Sequence, residues 1–115
     1  MAKTPRNFAG EWSVEAKSDF KPSTFGSYMV ELTQEEDKIV GKGWFPKQAL
    51  FDMDYECQIS GNIDDNQAKL EMQWNNEGGI SQVIIYLSED ETGFEGRYMN
   101  TTDEGIYRGI RYREH

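Results

Sequence analysis

Apolar residues recur at every second position along this chain, and almost nowhere at the three-to-four spacing of an amphipathic helix. Residues 10–17 set Trp12, Val14 and Ala16 against Glu11, Ser13, Glu15 and Lys17. Residues 27–34 align Tyr28, Val30 and Leu32, and residues 38–45 align Ile39, Gly41, Gly43 and Phe45. Residues 54–63 place Tyr55, Cys57, Ile59, Gly61 and Ile63 together, and residues 67–74 set Ala68, Leu70, Met72 and Trp74 against a polar face. Residues 79–88 are apolar on both faces, with Val83, Ile85 and Leu87 opposite Ile84 and Tyr86. Residues 93–100 align Phe94, Gly96, Tyr98 and Asn100. Residues 105–112 admit either phase, Ile106, Arg108, Ile110 and Tyr112 or Tyr107, Gly109 and Arg111. Successive side chains on a strand point to opposite faces, so each segment reads as a strand with one face buried. Eight such segments at close spacing predict an all-β fold.

The connections choose among all-β folds. Gln34–Asp37, Asp64–Asn66 and Ser88–Thr92 are short enough for hairpins. Consecutive hairpins make a meander, and eight meandering strands close most simply into an antiparallel up-and-down β-barrel. A Greek-key sandwich is the alternative, with residues 18–26 or 46–53 as its crossover. In the barrel, successive connections alternate between the two ends. The second, fourth and sixth are short and carry Glu35-Glu36-Asp37, Asp64-Asp65 and Glu89-Asp90-Glu91, which predicts a closed, acidic base. Two connections at the other end are long and carry Phe20, Phe25, Pro46, Leu50, Phe51 and Met53, which predicts a mouth with apolar lids or an apolar plug. The acidic turns lack calcium-loop spacing and read as solvated hairpins.

Length and charge bound the function. The 115 residues read as a single barrel domain, residues 1–115, with residues 1–8 an N-terminal extension. A net charge of −9 argues against nucleic acid and anionic membranes as partners. No apolar run spans a bilayer, and the polar start, Met-Ala-Lys-Thr-Pro-Arg, lacks a secretory h-region. One cysteine, Cys57, forms no internal disulfide and fits a reducing, cytoplasmic setting. The single histidine, His115, is the last residue, so a histidine triad, metal site or haem ligand is not expected, and no cofactor is implied.

The stretch Asn7-Phe8-Ala9-Gly10-Glu11-Trp12, opening the first strand of an eight-stranded meander, resembles the calycins: lipocalins, fatty-acid-binding proteins and avidins. The resemblance implies that Trp12 lies at the closed base with a late arginine, Arg111 or Arg113, stacked across it, a cation–π arrangement. Gly-Ser-Tyr-Met-Val-Glu-Leu, Ile-Val-Gly-Lys-Gly-Trp and Tyr-Glu-Cys-Gln-Ile-Ser-Gly-Asn-Ile follow an avidin-like rhythm. The biotin residues of avidins do not carry over: Val14 stands where they place an asparagine, and Gly43-Trp44-Phe45 replaces a polar run. What the resemblance implies is a barrel with a broad ligand-binding role.

Inward positions near the mouth give the candidate site: Tyr28, Phe45, Tyr55, Met72, Trp74, Tyr98 and Asn100, with Arg108 if its strand is so phased and Cys57 as a small buried neighbour. Aromatic walls with a few orienting polar groups are the usual make-up of a small-molecule pocket. An inward Arg108 needs a counter-charge, from a ligand anion or from Glu56; an outward Arg108 is plain surface and puts Arg111 at the base. The first functional reading is non-catalytic binding of a small apolar or amphipathic molecule. The second is a metal-free, cofactor-free cyclase or isomerase with Tyr28, Tyr55 and Tyr98 as acid or orienting groups. The closing Gly96-Arg97-Tyr98 and Gly109-Ile110-Arg111 loosely resemble the end of spirotetronate cyclases. The third is an acidic interaction or inhibitor protein acting through Glu35, Glu36 and Asp37. Ile84 and Tyr86, apolar where a barrel exterior is polar, predict a homodimer or larger assembly through residues 82–86.

Overall fold

The alternating segments pair in chain order and close on themselves. The computed structural model describes residues 7–20, 25–44, 56–74, 80–101 and 103–112. It contains β1 (Gly10–Ser18), β2 (Phe25–Glu35), β3 (Lys38–Trp44), β4 (Glu56–Asp64), β5 (Gln67–Trp74), β6 (Ile80–Leu87), β7 (Gly93–Met99) and β8 (Glu104–Arg111). Every neighbouring pair is antiparallel and β8 pairs back onto β1, giving a closed up-and-down barrel of eight strands. The sandwich alternative is thereby excluded. Closure leaves no open edge for backbone pairing with another chain.

The interior follows from the alternation. Trp12 and Val14 of β1, Val30 and Leu32 of β2, Ile39 of β3, Ile59 and Ile63 of β4, Leu70 of β5 and Val83, Ile85 and Leu87 of β6 are all buried in one cluster. The opposite face carries Glu15, Lys17, Lys42, Gln58, Lys69, Glu71 and Arg97, all exposed. Apolar inside and charged outside is the reverse of a barrel that faces lipid. Among the described residues no helix is long and apolar enough to cross a membrane.

The strand directions put the three short acidic connections at one end, as the loop lengths predicted. All three turn through a non-glycine residue in the left-handed region, Glu36 (φ 58°), Asp65 (φ 57°) and Glu91 (φ 60°). In the third, Asp90 holds the turn: its carboxylate accepts from the Ser88 hydroxyl (2.7 Å), the Thr92 hydroxyl (2.8 Å) and the Thr92 N–H (3.2 Å). These bonds favour the charged form and lower the Asp90 pKa to about 2.

Residues just before β1 close the same end. Phe8, assigned by the sequence to an extension, is fully buried, and its carbonyl accepts the Trp12 indole N–H (2.9 Å). The Arg111 guanidinium lies 4.2 Å from the centre of the Trp12 ring. It donates to the carbonyls of Ala9 (2.6 Å), Asn7 (2.9 Å) and Glu91 (2.9 Å). Of the two arginines offered by the sequence, Arg111 is therefore the one over Trp12; Arg113 lies outside the described residues. Gly10 explains the Gly-x-Trp spacing. Its φ of +125° suits glycine, and a Cβ there would meet Arg111 Nη1 at 2.9 Å. Glycine, tryptophan and arginine thus make one clamp.

Candidate functional site

An aromatic column runs from that clamp toward the mouth. Trp12 packs against Phe94 with ring centres 4.8 Å apart, Phe94 stacks on Tyr107 at 6.1 Å, Tyr107 meets Tyr28 edge-on at 6.2 Å, and Tyr28 meets Trp74 edge-on at 5.1 Å. The lower rings, Trp12 and Phe94, are buried in the core, with the Arg111 guanidinium as the charged group against Trp12. The character changes at Tyr28 and Tyr107, where two phenolic hydroxyls meet in the interior.

Tyr28 and Tyr107 are hydrogen-bonded to each other through their hydroxyl oxygens, and either can donate. The Met72 sulfur lies 3.7 Å from each oxygen. One phenol gives its proton to the other, and for Tyr107 the remaining acceptor among the described residues is that sulfur, a weak one. Burial pushes the pKa of both phenols well above the ordinary tyrosine range. Both therefore stay neutral and act as donors. Cys57 sits beside them, and burial raises its thiol to about 11. That makes it an inert small hydrophobe, as its alternation with Ile59 predicted.

A second polar group forms the rim. The Asp103 carboxylate accepts from the Ser18 hydroxyl (2.6 Å), the Tyr98 hydroxyl (2.9 Å) and the Glu104 N–H (2.9 Å). Asn100 braces the same turn: its N–H donates to the Asp103 carbonyl (2.9 Å), and its side-chain oxygen accepts the Asp103 N–H (2.8 Å). Its amide also reaches across to Ser81 of β6 (3.3 Å). Burial, then the hydrogen bond to Asp103, lifts the Tyr98 phenol to about 12. Ser18 and Asp103 tie the end of β1 to the start of β8 and so shape the mouth.

Of the site residues expected from the sequence, Tyr28, Met72, Trp74 and Tyr98 converge in the upper interior, with Trp74 and Tyr98 partly buried against the core. Asn100 lies at the rim, where it serves the turn. Phe45 and Tyr55 lie outside the described residues, as do the lid candidates Pro46, Leu50, Phe51 and Met53. Phe20 is 66% exposed at the end of β1 and covers nothing in the interior.

Arg108 does not belong to the site. It points outward, paired in register with Glu95 and Glu15, and its Nε lies 3.8 Å from the Glu95 carboxylate. The inward residue of that segment is Tyr107, which the ambiguous alternation did not single out. A usable signal was present in the two last strands together. Phe94 faces Gly109, Gly96 faces Tyr107, and Tyr98 faces Gly105, so each inward ring lies beside a glycine on the partner strand. A Cβ at Gly109 would run into the Phe94 ring, which fixes the strand's phase.

No family model matches the chain, and no curated protein matches it. Among solved structures it is similar to a redesigned beta barrel, with a TM-score of 0.75 over 92% of this chain and 91% of that chain. At 9% sequence identity this likeness concerns the fold alone.

Proposed function

We propose that the barrel binds one small, partly apolar molecule in its upper interior, among Tyr28, Met72, Trp74, Tyr98 and Tyr107. The observation that carries the reading is the meeting of two buried phenols beside a thioether, inside an otherwise apolar wall. Fold stability alone is served better by apolar rings, because a buried hydroxyl must be satisfied. An eight-stranded barrel is just wide enough to be filled or to hold one ligand. Met72 is unbranched and flexible, a side chain suited to yield to a guest. The base clamp of Gly10, Trp12 and Arg111 supports the calycin resemblance on which a ligand-binding role was first expected.

The catalytic reading uses the same groups. A phenol held neutral donates a hydrogen bond to a carbonyl or developing oxyanion, so Tyr28, Tyr107 and Tyr98 could orient a flexible substrate against the aromatic wall. In either case binding comes first. The test is titration with the fluorescent probe N-phenyl-1-naphthylamine. Saturable emission, about tenfold weaker binding for Trp74→Ala, and unchanged binding for the outward Arg108→Ala support the reading; a ring of that size lost from a small pocket accounts for the factor. Absence of saturable binding by the wild-type barrel refutes it.

A further inference from the structure

We infer that the ligand is uncharged and presents one oxygen acceptor, a ketone or aldehyde carbonyl, to the hydroxyl of Tyr107; this inference rests on the binding reading above. Charge complementarity decides the first half. Among the described residues only two charged side chains belong to the barrel's inner surface, Arg111 and Asp103, and both are committed. Arg111 gives its guanidinium to three backbone carbonyls and to the Trp12 face at the base. Asp103 accepts from Ser18, Tyr98 and its neighbour's N–H at the rim. Among the described residues neither end has a cation to spare for a carboxylate or phosphate, and an anion brought into such an interior without one goes unpaired at high cost. Arg108, which the sequence offered as a partner for a ligand anion, faces solvent. The surrounding surface adds repulsion, since the net charge is −9.

Hydrogen bonding decides the second half. Tyr28 and Tyr107 are donors that stay protonated, and they share one bond between them. With Tyr28 donating to Tyr107, the Tyr107 proton is left to the Met72 sulfur at 3.7 Å. A carbonyl oxygen placed where that sulfur lies is a stronger acceptor than a thioether. Met72 can turn aside to admit it, having three rotatable bonds and no branch. The exchange improves a poor hydrogen bond without breaking the tyrosine pair. A pure hydrocarbon gains nothing at this point, and a ligand amine would find there only weak or already shared acceptors, the Met72 sulfur and the paired phenol oxygens.

Three naphthalenes of one shape test the inference by calorimetric titration: 2-acetylnaphthalene, 2-ethylnaphthalene and 2-naphthoate. The ketone should bind about fivefold more tightly than the hydrocarbon, the worth of one neutral hydrogen bond. The carboxylate should bind at least about tenfold more weakly than the ketone. Tyr107→Phe should bring ketone and hydrocarbon to the same affinity. Met72→Leu, which keeps the volume and removes the sulfur, should leave the ketone's advantage in place. A carboxylate that binds as well as the ketone, or a ketone advantage that survives Tyr107→Phe, overturns the inference while leaving the binding reading standing. If none of the three binds, both fall. Thermal melts of each variant show whether a lost advantage is a lost fold.

Discussion

Replacing Arg111 should undo the base of the barrel, and the cost can be worked from its contacts. The guanidinium makes three hydrogen bonds to carbonyls and covers the Trp12 ring at 4.2 Å. Hydrogen bonds from a charged donor net about 1.5 kcal/mol each at the low end suited to a partly exposed site. The cation–π contact adds about 1 kcal/mol. Water recovers about 1.5 kcal/mol at the Asn7 carbonyl, whose bond is exposed. Arg111→Ala should therefore cost about 4 kcal/mol. With a urea m value of about 1.5–2 kcal/mol per molar for a domain of this size, the unfolding midpoint falls by roughly 2 M. Arg111→Lys keeps the charge but cannot fork to three carbonyls, and should recover about half of the loss. Gly10 offers an internal control. A Cβ there would lie 2.9 Å from Arg111 Nη1, so Gly10→Ala should destabilise the wild type by about 1 kcal/mol more than it destabilises Arg111→Ala. Urea titrations followed by tryptophan fluorescence measure all five proteins: wild type, the three single variants and the Gly10→Ala, Arg111→Ala double variant. An Arg111→Ala midpoint within about 0.3 M of wild type, or a lysine variant equal to wild type, would refute the reasoning, because either shows that the clamp is decoration.

Other outcomes follow from the same geometry. Asp90 has a folded-state pKa lowered to about 2, so the stability it lends is present above the ordinary carboxylate pKa and is lost as pH falls through about 2; Asp90→Asn should remove that part of the acid sensitivity, read from thermal melts across pH 2–5. Cys57 behaves in the opposite sense: its thiol is raised to about 11, so its contribution is complete below the unfolded thiol pKa and fades as pH rises through about 11. Alkylation of Cys57 by iodoacetamide at pH 8 should accordingly proceed only as fast as the barrel opens, and rapid labelling of the folded protein would contradict its burial. On the exterior of β6, Ile84 and Tyr86 remain exposed, and closure leaves no strand edge, so self-association there has to run face to face through side chains. If these side chains form the proposed interface of a homodimer or larger assembly, Ile84→Lys with Tyr86→Lys should reduce it to a monomer in sedimentation, and a wild-type monomer at micromolar concentration would refute the proposal.

The parts of this molecule that were legible in the sequence are those governed by one local rule. Strand alternation located all eight strands because one face of each is buried, and it placed the ends of Gln67–Trp74 without error. Loop length located the base, since only short turns can join neighbours there. The clamp was legible through the calycin resemblance, which implied a late arginine, Arg111 or Arg113, over Trp12; the structure adds that Gly10 leaves room for the Arg111 guanidinium. The site was legible only in part, and the reason is physical. β8 carries Ile106 and Ile110 on its outer face and glycines on its inner face, so its hydrophobic alternation points the wrong way. Its phase is set by rings on β7 that need the space of Gly105 and Gly109, a rule that acts between strands and is invisible along one of them. That rule puts Arg108 outside and Tyr107 inside. The polar rim was missed for a similar reason. Ser18 and Asp103 are separated by most of the chain and look like ordinary turn residues until β1 and β8 pair and bring Ser18 beside Gly105. The candidate site and the clamp beneath it thus both draw on the closing seam, where β8 returns to β1. The seam supplies Arg111 at the base, Tyr107 in the interior and Asp103 at the rim, three levels set by one register. A shift of two residues along it would move all three together, so the pairing that closes the barrel is also what assembles its candidate site.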